Sequence, residues 1–209
     1  MKFLRSISIA FAIATVTATS AFACSRPKVA GTEYAIPASG KISQALLDRA
    51  VLIEVNYTRC RAGLAPLKGE TRLVRAASKH SRWMAKSRKL SHRSSLAGQS
   101  SPSARIKGTG LKFRTGSENI SRMYRYQLAG KQFFVKDASR CQFADAKGRP
   151  IQPHSYATLA RAAVRLWAES PSHRKNLMDG NMRLTGAAAA LDKSGKYCGS
   201  IYLTQNFMG

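Results

Sequence analysis

Acidic residues are scarce in this chain. Ten Asp and Glu stand against 35 Lys and Arg in 209 residues, a formal charge of +25. Long apolar runs are missing as well, since no stretch approaches the roughly 20 residues a membrane-spanning helix needs. There is no Gly-X-Y period, no sustained heptad and no repeat at a spacing of about 20 to 50 residues, which excludes collagen, coiled-coil, solenoid and propeller architectures. No glycine motif that cradles phosphate is present, and the serines form no nucleophile elbow. No recognised nucleic-acid motif occurs, so sequence-specific nucleic-acid binding has no support. Apolar material is not lacking. At 44% hydrophobic and 8% aromatic, the composition excludes a disordered chain and suits one domain of ordinary size.

The N-terminus reads as an export signal. Lys2 and Arg5 form a positive start, residues 7–16 are apolar, and Ala21-Phe22-Ala23 offers a small-residue cleavage site after Ala23. Cleavage there makes Cys24 the first residue and leaves 33 basic and 10 acidic side chains on 186 residues, a charge of +23. A lipid anchor on Cys24 is the less favoured alternative, because Ala21 and Phe22 suit an ordinary signal peptidase better. An exported protein, periplasmic or extracellular, is expected. Its cysteines, Cys24, Cys60, Cys141 and Cys198, are even in number and have no near neighbours. That favours two disulfides over a structural zinc site; of three possible connectivities, Cys24–Cys60 with Cys141–Cys198 is preferred.

Residues 24–40 hold Pro27, Gly31, Pro37 and Gly40 and read as an extended arm before a domain over 41–209. A helix is expected over 43–62, with Leu46, Leu47, Ala50, Val51 and Ile53 inward, Glu54 excepted, and Gly63 ending it. A second helix, over 70–87, sets Leu73, Ala76, Ala77, His80, Trp83 and Met84 on one face. Arg72, Arg75, Lys79, Arg82 and Lys86 take the other. A short helix is expected over 102–107 and a third long one over 155–170, with Leu159, Ala163, Leu166 and Trp167 inward. Strands are expected over 184–191 and 197–207, joined by a hairpin turn at 192–195. A strand-like segment at 132–136 and a turn at 145–148 lie earlier. The class is α+β.

Several segments, taken in order, resemble the bacterial branch of the CAP superfamily (cysteine-rich secretory protein, antigen five, pathogenesis-related; also called SCP-like). Asn56-Tyr57-Thr58-Arg59 with Ala62-Gly63-Leu64-Ala65-Pro66-Leu67 resembles the end of its first helix, and residues 73–84 its second. Leu90-Ser91-His92, Gly116-Ser117-Glu118-Asn119-Ile120 and Ser170-Pro171-Ser172-His173-Arg174-Lys175-Asn176-Leu177 resemble three further motifs, and residues 202–207 the closing strand. The resemblance covers 43–209, with about 121–153 as an insertion. It implies a three-layer α-β-α sandwich on a small antiparallel sheet, and a central cleft.

In eukaryotic relatives two His and two Glu line that cleft as candidate metal ligands or acid–base groups. His92 and Glu118 match one of each. Imidazole binds zinc or moves protons near neutral pH, and a carboxylate beside it fixes its tautomer. The second Glu falls at Ser170, with Glu169 adjacent, and the second His at Tyr202; Gln205 is a further cleft position. His173 either faces the cleft or caps the helix end. His80 reads as a hydrogen-bonded core histidine, Trp83 and Trp167 as core anchors, and His154 has no assigned role. The catalytic candidates are therefore His92, Glu118 and His173, and the metal candidates for zinc or another divalent ion are His92 and Glu118. The expected function is a monomeric binding module. Its cleft takes a small ligand, by resemblance a lipid or sterol, and its basic face holds anionic lipid, lipopolysaccharide or acidic polymer. A metal-assisted hydrolase using His92 and Glu118 is the alternative.

Overall fold

A computed structural model describes residues 24–39 and 41–209; the expected export signal lies outside the described residues. The chain forms α1 (Gln44–Arg61), β1 (Lys68–Gly69), α2 (Thr71–Ser87), α3 (Pro102–Lys107) and β2 (Gly116–Tyr124). It continues through β3 (Phe133–Asp137), β4 (Gln142–Asp145), α4 (Tyr156–Glu169), α5 (Pro171–Leu177), β5 (Leu184–Asp192) and β6 (Ser200–Met208). The main sheet has the order β1-β5-β6-β2, antiparallel except for the β1–β5 pair. Helix α2 covers one face, and α1 with α4 covers the other, giving the three layers expected. The larger core lies on the second face, where Leu47, Val51 and Val55 of α1 meet Leu159, Ala163 and Trp167 of α4 over Ile201, Leu203 and Phe207.

Local chemistry explains the elements. Ser43 caps α1 by accepting the Leu46 amide, Glu70 caps α2 through the Arg72 amide, and Ser155 with Thr158 forms a reciprocal capping box on α4. Strand β5 is nearly all small residues, Gly186-Ala187-Ala188-Ala189-Ala190, so both helical layers approach it closely. A Cβ on Gly186 would collide with the backbone of Leu73 and Val74. Strand β1 is only two residues long. Past its end the β5 amides of Ala187 and Ala189 donate instead to Asp48 Oδ1 at 2.8 Å and Gln44 Oε1 at 2.9 Å.

Several expectations need correcting. Leu46 and Ile53 are only half-buried, whereas Glu54 is buried, because Arg26 of the arm donates to it at 2.8 Å and Arg161 of α4 at 3.3 Å. Leu166 points outward, about 100° around the helix from the buried Trp167. The arm is not simply extended, since residues 30–34 turn and Ile36 is buried in the core. The hairpin turn at 192–195 is really a seven-residue loop, 193–199, and β6 starts at Ser200. In that loop Tyr197 and Cys198 adopt left-handed backbone conformations while Cys198 is bonded to Cys141. Strand β2 had no alternating apolar signal and α5 was not anticipated, although Ser170-Pro171 is a helix-start pair. Residues 121–124 complete β2. The stretch that then leaves the main sheet builds the β3–β4 hairpin and a small core of Leu128, Phe143 and Ile151.

Both disulfides take the preferred pairing, Cys24–Cys60 and Cys141–Cys198. The first occupies the sulfur that a lipid anchor on Cys24 would require. Among the described residues no helix is long and apolar enough to cross a membrane. Together these features fit an exported protein.

The fully buried Arg59 donates from Nε to the Ala65 carbonyl at 2.9 Å and from Nη1 to the Leu177 and Asp179 carbonyls at 2.7 and 3.0 Å. Nearby, Asn56 exchanges hydrogen bonds with the backbone of Leu67. The Asn56–Arg59 motif is thus a clamp on the chain that follows α1. Arg59→Met should lower unfolding stability by about 3 kcal/mol, because three carbonyls, that of the buried Leu177 among them, lose a charged donor. A denaturant midpoint unchanged from the parent would contradict this.

Candidate functional site

The site is assembled on the α2 face of β2. Glu118 is 4% exposed, and its register opposite Asn206 turns it toward α2. Arg105, fully buried on α3, meets it with both arms of the guanidinium: Nε donates to Oε2 at 2.7 Å and Nη2 to Oε1 at 2.6 Å. Two further bonds run from Nη2 to the His92 carbonyl and from Nη1 to the Gln99 carbonyl, each at 2.6 Å. Arg105 therefore neutralises the carboxylate and fixes the loop between α2 and α3 in one stroke.

His92 Nδ1 lies 2.8 Å from Glu118 Oε1, so this nitrogen donates to the carboxylate and Nε2 is left toward solvent, with the side chain 45% exposed. His80, fully buried on α2, donates from Nε2 to the Ser91 carbonyl at 2.9 Å and sits 3.9 Å from Glu118 Oε1. It is a hydrogen-bonded core histidine, as expected, yet it also belongs to the cluster. Burial pushes the Glu118 carboxyl up, but the donors His92 and Arg105 and the charge of Arg105 outweigh it and hold the group below its ordinary range. His173 is half-buried, with its Nδ1 buried and without a hydrogen-bond partner, and burial first and then the nearby His92 hold it below the ordinary histidine value. The Asn119 side chain donates to the His173 carbonyl at 3.2 Å. Asn176 donates to Asn119 Oδ1 at 2.8 Å and to the Glu118 carbonyl at 3.2 Å. The motif asparagines thus lock α5 to β2.

The structure brings together His92, Glu118 and His173, but not the other candidates. Tyr202 pairs with Arg122, four residues along β6 from Asn206, which is about 13 Å of strand. It is buried beside a separate cavity of about 550 Å³ that Glu169, Arg122 and Arg165 also line. Glu169 is exposed and pairs with Arg165 at 3.9 Å, and Ser170 lies between α4 and α5 with its hydroxyl 3.3 Å from that of Ser172. Gln205 alternates to the opposite face of β6, fully buried, where it donates to Thr185 Oγ1 at 3.0 Å. The residues that sequence reading missed are Arg105, Asn119, Asn176 and the site role of His80. Nothing marked Arg105 among so many basic residues, because its role depends on burial.

A divalent metal does not fit this donor set. Both Glu118 oxygens already face a guanidinium, and among the described residues no group of three His, Cys, Asp or Glu is arranged to hold an ion.

The cysteine-rich secretory protein family model, CAP, matches residues 52–207, and the chain belongs to that family. Two solved structures share the fold. One is an extracellular protein containing a SCP domain from Bacillus anthracis str. Ames, with 20% identity over 83% of this chain and 43% of that one and a TM-score of 0.54. The other is an outer surface protein from Borrelia burgdorferi, with 15% identity over 81% of this chain and 98% of that one and a TM-score of 0.53. The chain therefore spans less than half the length of the Bacillus protein. A search of curated proteins found no match.

Two predictions follow from the cluster's electrostatics. Arg105→Met should cost about 3–5 kcal/mol because it strands a buried carboxylate, and adding Glu118→Met should restore much of that loss. Equal losses in the single and double variants, measured by denaturation, would count against the coupling. The second concerns pH. Burial pushes both His80 and His154 from 6.5 down to about 4. The unfolded chain thus holds more protons between those values, and stability falls as pH drops through that window. Asp48, pushed by burial from 3.8 up to about 6, acts in the opposite sense over an overlapping window. Two groups outweigh one, so the thermal midpoint should decline from pH 6.5 to 4. A flat or rising midpoint would contradict the assignment.

Proposed function

We propose that this CAP-domain chain works as an exported binding module of the cell envelope rather than as an enzyme. Its cleft takes a small ligand and its basic surface holds an anionic one, lipid or acidic polymer. The observation that carries this reading is the imbalance on the outer face of α2. Arg72 has a carboxylate partner, Glu70 at 3.2 Å, but Arg75, Lys79, Arg82 and Lys86 have none among the described residues. Two of the ten acids, Glu54 and Glu118, are buried in ion pairs with arginines outside this row and offset none of its charge. An exposed, uncompensated row of cations attracts polyanions and anionic surfaces.

The expected result is retention on heparin or on phosphatidylglycerol vesicles at low salt, with release as salt rises through screening. Equal retention by neutral phosphatidylcholine vesicles would overturn the proposal. The hydrolase alternative draws support from the exposed Nε2 of His92, fixed by a carboxylate behind it, but the metal it was to use has no fitting site. A calorimetric zinc titration should show no binding that His92→Ala and Glu118→Ala remove. Tight stoichiometric binding lost in both variants would restore the hydrolase reading.

A further inference from the structure

The basic row on α2 is not a plain charged face. Arg72, Arg75, Lys79, Arg82 and Lys86 follow a 3-4-3-4 spacing, which lays them in a nearly straight line about 21 Å long. Beside the second half of this line, Trp83, Leu96 and Ala97 floor a shallow groove of about 420 Å³ rimmed by Lys79, Arg82 and Lys86. Beside the first half lies a notch of about 130 Å³ among Arg72, Arg75 and Lys79. The two depressions share Lys79 and Gln99, so they form one continuous surface. Leu90 and Leu96, 49% and 37% exposed, stand on the loop that follows α2. The Trp83 indole is held in place, stacked on His80 with centroids 5.6 Å apart, and it donates from Nε1 to Ser95 Oγ at 3.0 Å.

We propose that this face docks on an anionic phospholipid bilayer, with a headgroup phosphate in the notch and Trp83, Leu90 and Leu96 at the boundary between headgroups and acyl chains. The inference rests on the binding-module reading and assigns the face and the ligand. A soluble polyanion would use the cations alone and gain nothing from an apolar floor set among them. A bilayer interface uses both: Trp prefers that depth, and long basic side chains bury their stems while their charges meet phosphate. Docking in this way also sets His92, which lies on the loop between Leu90 and Leu96, against the membrane surface.

Tryptophan fluorescence of the mature, oxidised chain tests this directly. Of the two tryptophans, Trp167 is fully buried with its Nε1 bonded to the Ile120 carbonyl, so Trp83 is the one exposed to a lipid-borne quencher. Phosphatidylglycerol vesicles with brominated acyl chains should quench and blue-shift the Trp83 emission, reversibly with salt, and Trp83→Phe should abolish that quenching. The triple substitution Lys79→Glu, Arg82→Glu, Lys86→Glu should weaken vesicle partitioning by about a hundredfold or more. Vesicle retention without quenching, and unaffected by the triple substitution, would overturn the inference and leave the binding-module reading intact. Binding to heparin with no binding to anionic vesicles would overturn the membrane assignment alone. Failure to bind either would remove both.

Discussion

Moving a guanidinium and a carboxylate out of water costs several kcal/mol for each ion, and the pair recovers that only with close geometry and further hydrogen bonds beside those of the pair. Arg105 and Glu118 meet the condition with two hydrogen bonds to each other and two more from Arg105 to the carbonyls of His92 and Gln99. Through those bonds the pair joins α3, β2 and the loop after α2. His80 closes the same loop from below through Ser91, and the asparagine pair extends the link to α5. The site is therefore also a structural joint. Of the side chains of His80, His92, Arg105 and Glu118, the His92 ring alone reaches solvent.

A joint of this kind separates two properties that sequence reading had combined. The His and Glu that look like half of a catalytic or metal-binding set are committed to holding loops in place. The proposed binding surface lies outside them, on the basic row of α2.

Much of the fold was legible in the sequence because periodicity and punctuation agreed. The limits of α1, α2 and α4 follow from Ser43, Glu70 and Ser155 at their starts and from apolar spacing between, and the cysteine pairing matched. Strand β2 was hidden because its buried residues include Glu118 and Asn119, polar groups that only tertiary contacts can satisfy. Glu54 misled for the same reason, since its burial depends on Arg26 and Arg161, distant in sequence. In the site, His92 and Glu118 could be found from their motifs. Arg105 could not, because a buried arginine and an exposed one look identical in a chain with 35 basic residues.

The side chains that complete the edge of β5 bear on a different matter, the fate of the chain before it is fully folded. An open strand edge is a template on which a second polypeptide can add. Here Gln44 and Asp48 project from the first helix and take up the amides that the brief β1 leaves over. Once α1 settles on the sheet, that flank offers no row of vacant donors for a neighbour to join. The helix that builds the core thus also guards against cross-β association, and it does so with two side chains where other sheets use an additional strand.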